Sequence, residues 1–275
     1  MNFMRLVLLF IGLACWLASC SPNNVEERPD LNKFFTDKQV EGVFGLFDNG
    51  QGSFIVSDKH RFRDSSWLPA STFKIVNSLI GLETGVVKDD STVIKWDGIV
   101  RPVADWNQDL SMYRAFRVSA VPWFQELARR IGQPAMQHWI DTLGYGKGYG
   151  KTKIDKIDTF WLNNSMKATP DEQLGLVKRL YFAQLPFQHR TQEIVCRMML
   201  MEDNSNYKLA YKTGLAQAEN GDDIAWIVGW VEENKHPYFF VQQFRCSDPG
   251  VDIPAARLEI LKKNLAALGF LEGRR

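Results

Sequence analysis

Ser71 and Lys74 stand three residues apart in Pro69-Ala70-Ser71-Thr72-Phe73-Lys74, ahead of the apolar run Ile75, Val76, Leu79, Ile80 and Leu82 that ends at Gly85. Helical spacing puts these two side chains one turn apart on one face, so an amine can reach a hydroxyl within hydrogen-bond distance. A lysine among Phe73, Ile75 and other apolar neighbours is desolvated. That disfavours its charged form, and a neutral amine can act as a base or react further. The pattern has a second copy, Ser205-Asn206-Tyr207-Lys208. There the serine lies in a polar stretch leading into strand-like sequence, where positions three apart point to opposite faces. The chemistry is therefore expected at Ser71 and Lys74.

Other groups fall into place around this pair. Lys212-Thr213-Gly214 ends a predicted strand, Tyr207 to Thr213. A cation and a hydroxyl on a strand edge can bind a carboxylate, and glycine lets a ligand approach the backbone. Ser119 precedes a helix that Pro122 starts, so its hydroxyl could serve as a cap or as a proton relay, and position alone favours the cap. The glycine-rich run from Leu143 to Thr152 resembles a phosphate loop but has Tyr145 where the first glycine belongs and no strand before it, which excludes nucleotide binding. His60, His138, His189 and His236 have no ligand spacing with one another or with cysteines, so neither a metal nor a histidine base is expected. Once Cys15 and Cys20 are assigned to a leader, Cys196 and Cys246 remain, expected as buried free thiols.

The elements that must position these residues follow from the chain as a whole. Thirty-three basic against 32 acidic residues give a net charge of +1 over 275 residues, which leaves no electrostatic footprint for nucleic acid. Arg5, the apolar run Leu6 to Leu17 and the small residues before Cys20 have the layout of a secretory signal. Leu17-Ala18-Ser19-Cys20 resembles the bacterial lipoprotein signal, in which the cysteine is lipidated. The expected organisation is a signal over 1–19, a tether over 20–30, and one catalytic domain over 31–275. Gly42 to Phe47 and Ser53 to Val56 read as a hairpin around Asp48-Asn49-Gly50. Helices are predicted over Leu31–Thr36, Pro170–Ala183, Gln188–Met201 and Ala255–Leu268, and further strands over Ile224–Val231 and Tyr238–Phe244. Strands at both ends with helices between them predict an α/β fold: an antiparallel sheet closed by terminal segments, beside a helical subdomain.

Taken together and in order, Ser71-Thr-Phe-Lys74, Ser119-Ala-Val121, Tyr145-Gly146 and Lys212-Thr213-Gly214 resemble the motifs of the class D (oxacillinase-type) serine β-lactamases. Phe160-Trp161-Leu162, Ile227-Val228-Gly229-Trp230 and Arg257 extend the resemblance over nearly the whole mature chain. It implies the β-lactamase and penicillin-binding-protein fold, and hydrolysis of penicillins and related antibiotics through an acyl-enzyme on Ser71. Lys74 would be carboxylated by carbon dioxide or bicarbonate, with no other cofactor, and would serve as general base. Trp161 would hydrogen-bond the carbamate and Val121 would wall its pocket. Ser119 would relay a proton to the departing nitrogen, which reverses the preference for a cap. Lys212, Thr213, Gly214 and Arg257 would bind the substrate carboxylate, and the backbone N–H groups of Ser71 and Leu215 would form the oxyanion hole. Tyr145 is a further site residue on this reading.

Two departures stand out: Lys147 replaces the usual asparagine after Tyr-Gly, and Asn163-Asn164-Ser165 follows the tryptophan motif. A β-lactam sensor domain, or a penicillin-binding protein that acylates without efficient turnover, shares the serine, lysine and K-T-G logic and is the alternative reading. The expected location is the bacterial envelope, on the periplasmic side of a membrane, with a lipid on Cys20 as anchor.

Overall fold

The computed structural model describes residues 24–146 and 152–275; the leader with Cys20, and Lys147, lie outside the described residues. The hairpin forms as β2 (Glu41–Asp48) and β3 (Ser53–Val56), with the Asp48 carboxylate accepting from the N–H groups of Gly50 and Gln51 at 2.8 and 3.0 Å. Apart from a separate two-stranded pair, β4 (Val93–Ile94) with β5 (Leu110–Ser111), four C-terminal strands complete the main sheet: β6 (Leu200–Asp203), β7 (Lys208–Gln217), β8 (Asp223–Glu233) and β9 (His236–Cys246). Asn234 and Lys235 both take positive φ, 49° and 66°, the twist a tight hairpin turn needs. Antiparallel pairing of β2 with β9 closes N-terminal on C-terminal chain, giving the order β1-β3-β2-β9-β8-β7-β6. The first strand, β1 (Val25–Glu27), pairs in parallel with β3 at the edge.

Both faces of this sheet are covered. On β9, Phe239 and Val241 face the helical region together with Trp226 of β8, while Phe240 and Phe244 face the opposite layer. The opposite layer is α1 (Lys33–Thr36) and α9 (Ile253–Ala267), the latter started by Asp252, whose side chain accepts from the Ala255 N–H. On the helical side run α2 (Lys59–Asp64), α3 (Lys74–Glu83), α4 (Met112–Arg117), α5 (Val121–Ile131), α6 (Gln133–Leu143), α7 (Pro170–Tyr181) and α8 (His189–Met199). Helix α3 is buried from Lys74 to Leu82, with α5 and α8 packed on it. A mostly apolar helix buried on every side belongs in a core, and this one carries the lysine with it.

Several expectations shift. Val25–Glu27, expected within a tether over 20–30, is instead a strand that finds hydrogen-bond partners on the open edge of β3. Lys212-Thr213-Gly214 does not end its strand: β7 runs on to Gln217, paired throughout with β8. Helix α8 stops at Met199, and Leu200–Asp203 turns into an edge strand against β7. Helix α5 has no side-chain cap, so the cap reading of Ser119 is overturned. At the second serine–lysine copy, the Ser205 hydroxyl bonds only locally to Asn206 while Lys208 faces Glu232 at 3.9 Å. Cys196 and Cys246 are free thiols; Cys246 is buried, whereas Cys196 is half-buried with burial pushing its pKa up to about 12.

Candidate active site

Ser71 lies in a 3-10 turn, Ala70–Phe73, that runs straight into α3. At three residues per turn, positions i and i+3 line up, which brings Lys74 under Ser71. The Lys74 amine sits 2.5 Å from the Ser71 hydroxyl oxygen. The serine keeps 7% of its surface and the lysine none. Phe124 of α5 lies 5.5 Å from the amine, and desolvation lowers the Lys74 pKa from 10.5 to about 7. A neutral amine is thus present at neutral pH, as the apolar neighbours in the sequence imply.

The backbone around Ser71 is strained and pinned. Ala70 takes φ 50°, a left-handed conformation that costs an alanine of order 1 kcal/mol or more. Its N–H donates to the Trp161 carbonyl at 3.1 Å, and the Trp226 indole donates to the Leu68 carbonyl at 3.0 Å. Trp161 also stacks on Phe73, with ring centres 5.4 Å apart. Its own indole N–H is fully buried and has no acceptor among the described residues. An orphaned donor in such a place costs free energy unless something charged or polar is brought to it.

The opposite wall comes from β7 and the loop before α5. Lys212 is buried and donates to the Ser119 hydroxyl at 3.0 Å and to the Thr213 carbonyl at 3.1 Å, over the Phe116 ring. Burial, then the positive charges of Lys74, Arg257 and Arg117, hold its pKa well below the usual lysine range. Ser119 is presented by a backbone at φ 55°. Gly214 permits a close approach: a Cβ there would stand 3.0 Å from the Pro69 carbonyl oxygen and 3.3 Å from Thr72, tighter than ordinary contact. That close approach lays β7 against the turn bearing Ser71. It also carries exposed Leu215, 41% accessible, to the rim. Arg257 reaches across from α9 and donates to the Gly214 carbonyl at 2.7 Å, and burial brings its pKa down to about 10. Three basic groups therefore converge on one cleft with Thr213 half-buried beside them, an anion-binding arrangement.

Two expected residues sit differently from the rest. Tyr145 packs against Phe73 with ring centres 6.1 Å apart, and its buried hydroxyl, whose pKa burial raises, lies beside Thr72 and Gln173. It lines the floor under the Ser71 turn. Val121 is the half-buried first residue of α5, while Phe124 of the same helix is the side chain recorded over Lys74. Sequence reading missed Phe124, although it lies one turn beyond Val121 on the helix that Pro122 starts. It also missed Trp226, Phe116 and Gln173, which no local pattern connects to Ser71.

The fold and this cleft define a member of the penicillin-binding class of serine enzymes: residues 35–250 match the penicillin binding protein transpeptidase domain. Beta-lactamase OXA-5 of Pseudomonas aeruginosa is 34% identical over 272 residues, covering 98% of this chain and 100% of the relative. Beta-lactamase OXA-48 of Klebsiella pneumoniae is 37% identical over 215 residues, covering 78% of this chain and 79% of that one. A crystal structure of a class D β-lactamase from Nostoc superposes with a TM-score of 0.81 at 38% identity, covering 88% of this chain and 99% of that one. The chain belongs to the class D serine β-lactamases, as its motifs lead one to expect.

Proposed function

We propose that the protein hydrolyses penicillins and related β-lactams through an acyl-enzyme on Ser71, with Lys74 in its carboxylated form. The observation that carries this reading is a fully buried amine 2.5 Å from a serine hydroxyl, next in sequence to Phe73, whose ring stacks on Trp161, a tryptophan with a buried indole N–H that has no acceptor among the described residues. A neutral amine is the form that adds carbon dioxide, releasing one proton, and the unpartnered Trp161 N–H suits the resulting anion. That group supplies a base for the serine and later for water. Ser71 Oγ gives up its proton and bonds to the lactam carbonyl carbon. Charge on the carbonyl oxygen falls to the backbone N–H groups of Ser71 and Leu215. As the ring C–N bond breaks, Lys212 and Ser119, 3.0 Å apart, form the path by which the nitrogen receives a proton. Arg257, Lys212 and Thr213 hold the substrate carboxylate. The protein is proposed to work in the bacterial envelope, held at a membrane surface by a lipid on Cys20.

Steady-state hydrolysis of a penicillin and a chromogenic cephalosporin, with and without added bicarbonate, tests the reading. Turnover strengthened by bicarbonate is expected. A single stoichiometric burst without turnover, bicarbonate present, would move the assignment to a sensor or transpeptidase.

A further inference from the structure

Gln173 lies on α7, about a hundred residues from the nucleophile in sequence, and is completely buried. Its amide Nε2 donates to the Thr72 hydroxyl at 2.7 Å, and that hydroxyl donates to the Pro69 carbonyl at 2.6 Å. The direction of the chain is fixed. Thr72 has one proton, which goes to a carbonyl that can only accept, so its lone pair must receive from Gln173. The Pro69 carbonyl also accepts from the Thr72 N–H at 3.1 Å and is the atom nearest to where a side chain at Gly214 would begin, 3.0 Å away. It stands immediately before Ala70, whose left-handed φ of 50° aims Ser71 at Lys74.

Helix α7 is a firm support. Thr169 and Glu172 form a reciprocal cap at its start, and the Gln173 N–H donates to the Thr169 carbonyl at 3.1 Å. We propose that Gln173 is a positioning residue for the nucleophile: through Thr72 and the Pro69 carbonyl, it holds the strained turn of Ser71 in register against the Lys212-Thr213-Gly214 strand. Strain of this kind persists only where surrounding bonds over-determine the backbone. Trp161 and Trp226 pin the turn on either side of Pro69, and Gln173 supplies the pin at Pro69 itself. The inference rests on Ser71 being the group acylated by β-lactams.

The test is the acylation rate of Ser71 by a penicillin, read by rapid quench and mass spectrometry, beside the rate of product release and the thermal midpoint. Gln173→Met keeps the length and removes the amide; Thr72→Val keeps the shape and removes the hydroxyl; Thr72→Ser keeps the hydroxyl. A misplacement well below 1 Å at a reacting group is enough for roughly tenfold slower acylation. Gln173→Met and Thr72→Val are each expected to slow acylation about tenfold or more, and the double variant no further, because both break one chain. Thr72→Ser should stay within about threefold of the parent. Acylation at the parental rate in Thr72→Val overturns the proposal even if Gln173→Met fails to fold. So do effects that multiply in the double variant, or losses that follow the thermal midpoint and leave the acylation rate of the folded fraction unchanged. A parent that is never acylated would overturn the β-lactamase reading, and this inference with it.

Discussion

Replacing Lys74 with methionine should stabilise the folded protein in acid and do progressively less as the pH rises. Burial lowers the lysine from 10.5 to about 7. At about 1.4 kcal/mol per pH unit, the buried ammonium is disfavoured by ~5 kcal/mol, an upper bound because a charged lysine can draw in water. The sign follows from proton counts. Below about pH 7 the amine is protonated in folded and unfolded chain alike, and the folded state bears the full cost. Between about 7 and 10.5 the unfolded chain binds more protons, so the parent gains stability as pH rises. Methionine keeps the length and apolar stem, loses the charge, and gives up the contact with Ser71, worth about 1 kcal/mol. Lys212 gains as well, since Lys74 is one of the positive charges lowering its pKa. Lys74→Met should therefore be up to ~4 kcal/mol more stable than the parent at pH 6, with most of the difference gone by pH 9.5. Urea unfolding of both proteins in buffers free of carbon dioxide gives the comparison. A difference that does not vary with pH, or a parent more stable at pH 6, would refute the desolvation argument.

Trp161→Phe removes the indole N–H that has no acceptor among the described residues; half-maximal activity should then need roughly tenfold more bicarbonate, as loss of a hydrogen bond to an anion predicts, and an unchanged bicarbonate titration would contradict the role. Arg257→Ala should raise KM for penicillins about tenfold or more with a smaller change in kcat, whereas a fall in kcat at constant KM would remove Arg257 from carboxylate binding. Gly214→Ala puts a methyl 3.0 Å from the Pro69 carbonyl, so β7 or the nucleophile turn must give way; a loss of about 1–3 kcal/mol by chemical denaturation is expected, and parental stability would mean the turn is looser than the contacts imply. Cys20→Ser should shift the protein from the membrane to the soluble fraction, and identical fractionation would exclude a lipid on that residue as the anchor.

The sequence determined by itself whatever depends on neighbours along the chain. Ser71 and Lys74 meet because three residues make one turn, and the lysine is buried because its own helix is mostly apolar and belongs in a core. The hairpin of β2 and β3 was legible because Asp48-Asn49-Gly50 suits the turn it occupies. How far β7 runs past Gly214 is set by its pairing with β8, which no local pattern encodes. The same holds for β1, which is a strand only because the edge of β3 lies open to it. Ser119 was ambiguous between cap and relay until packing brought Lys212 within 3.0 Å and left the helix without a side-chain cap. Tyr145 could be placed under the turn, and Gln173 connected to Thr72, only once α7 had docked. Contacts between residues tens or a hundred positions apart are fixed by which buried faces and polar groups satisfy one another, and no local spacing encodes that choice.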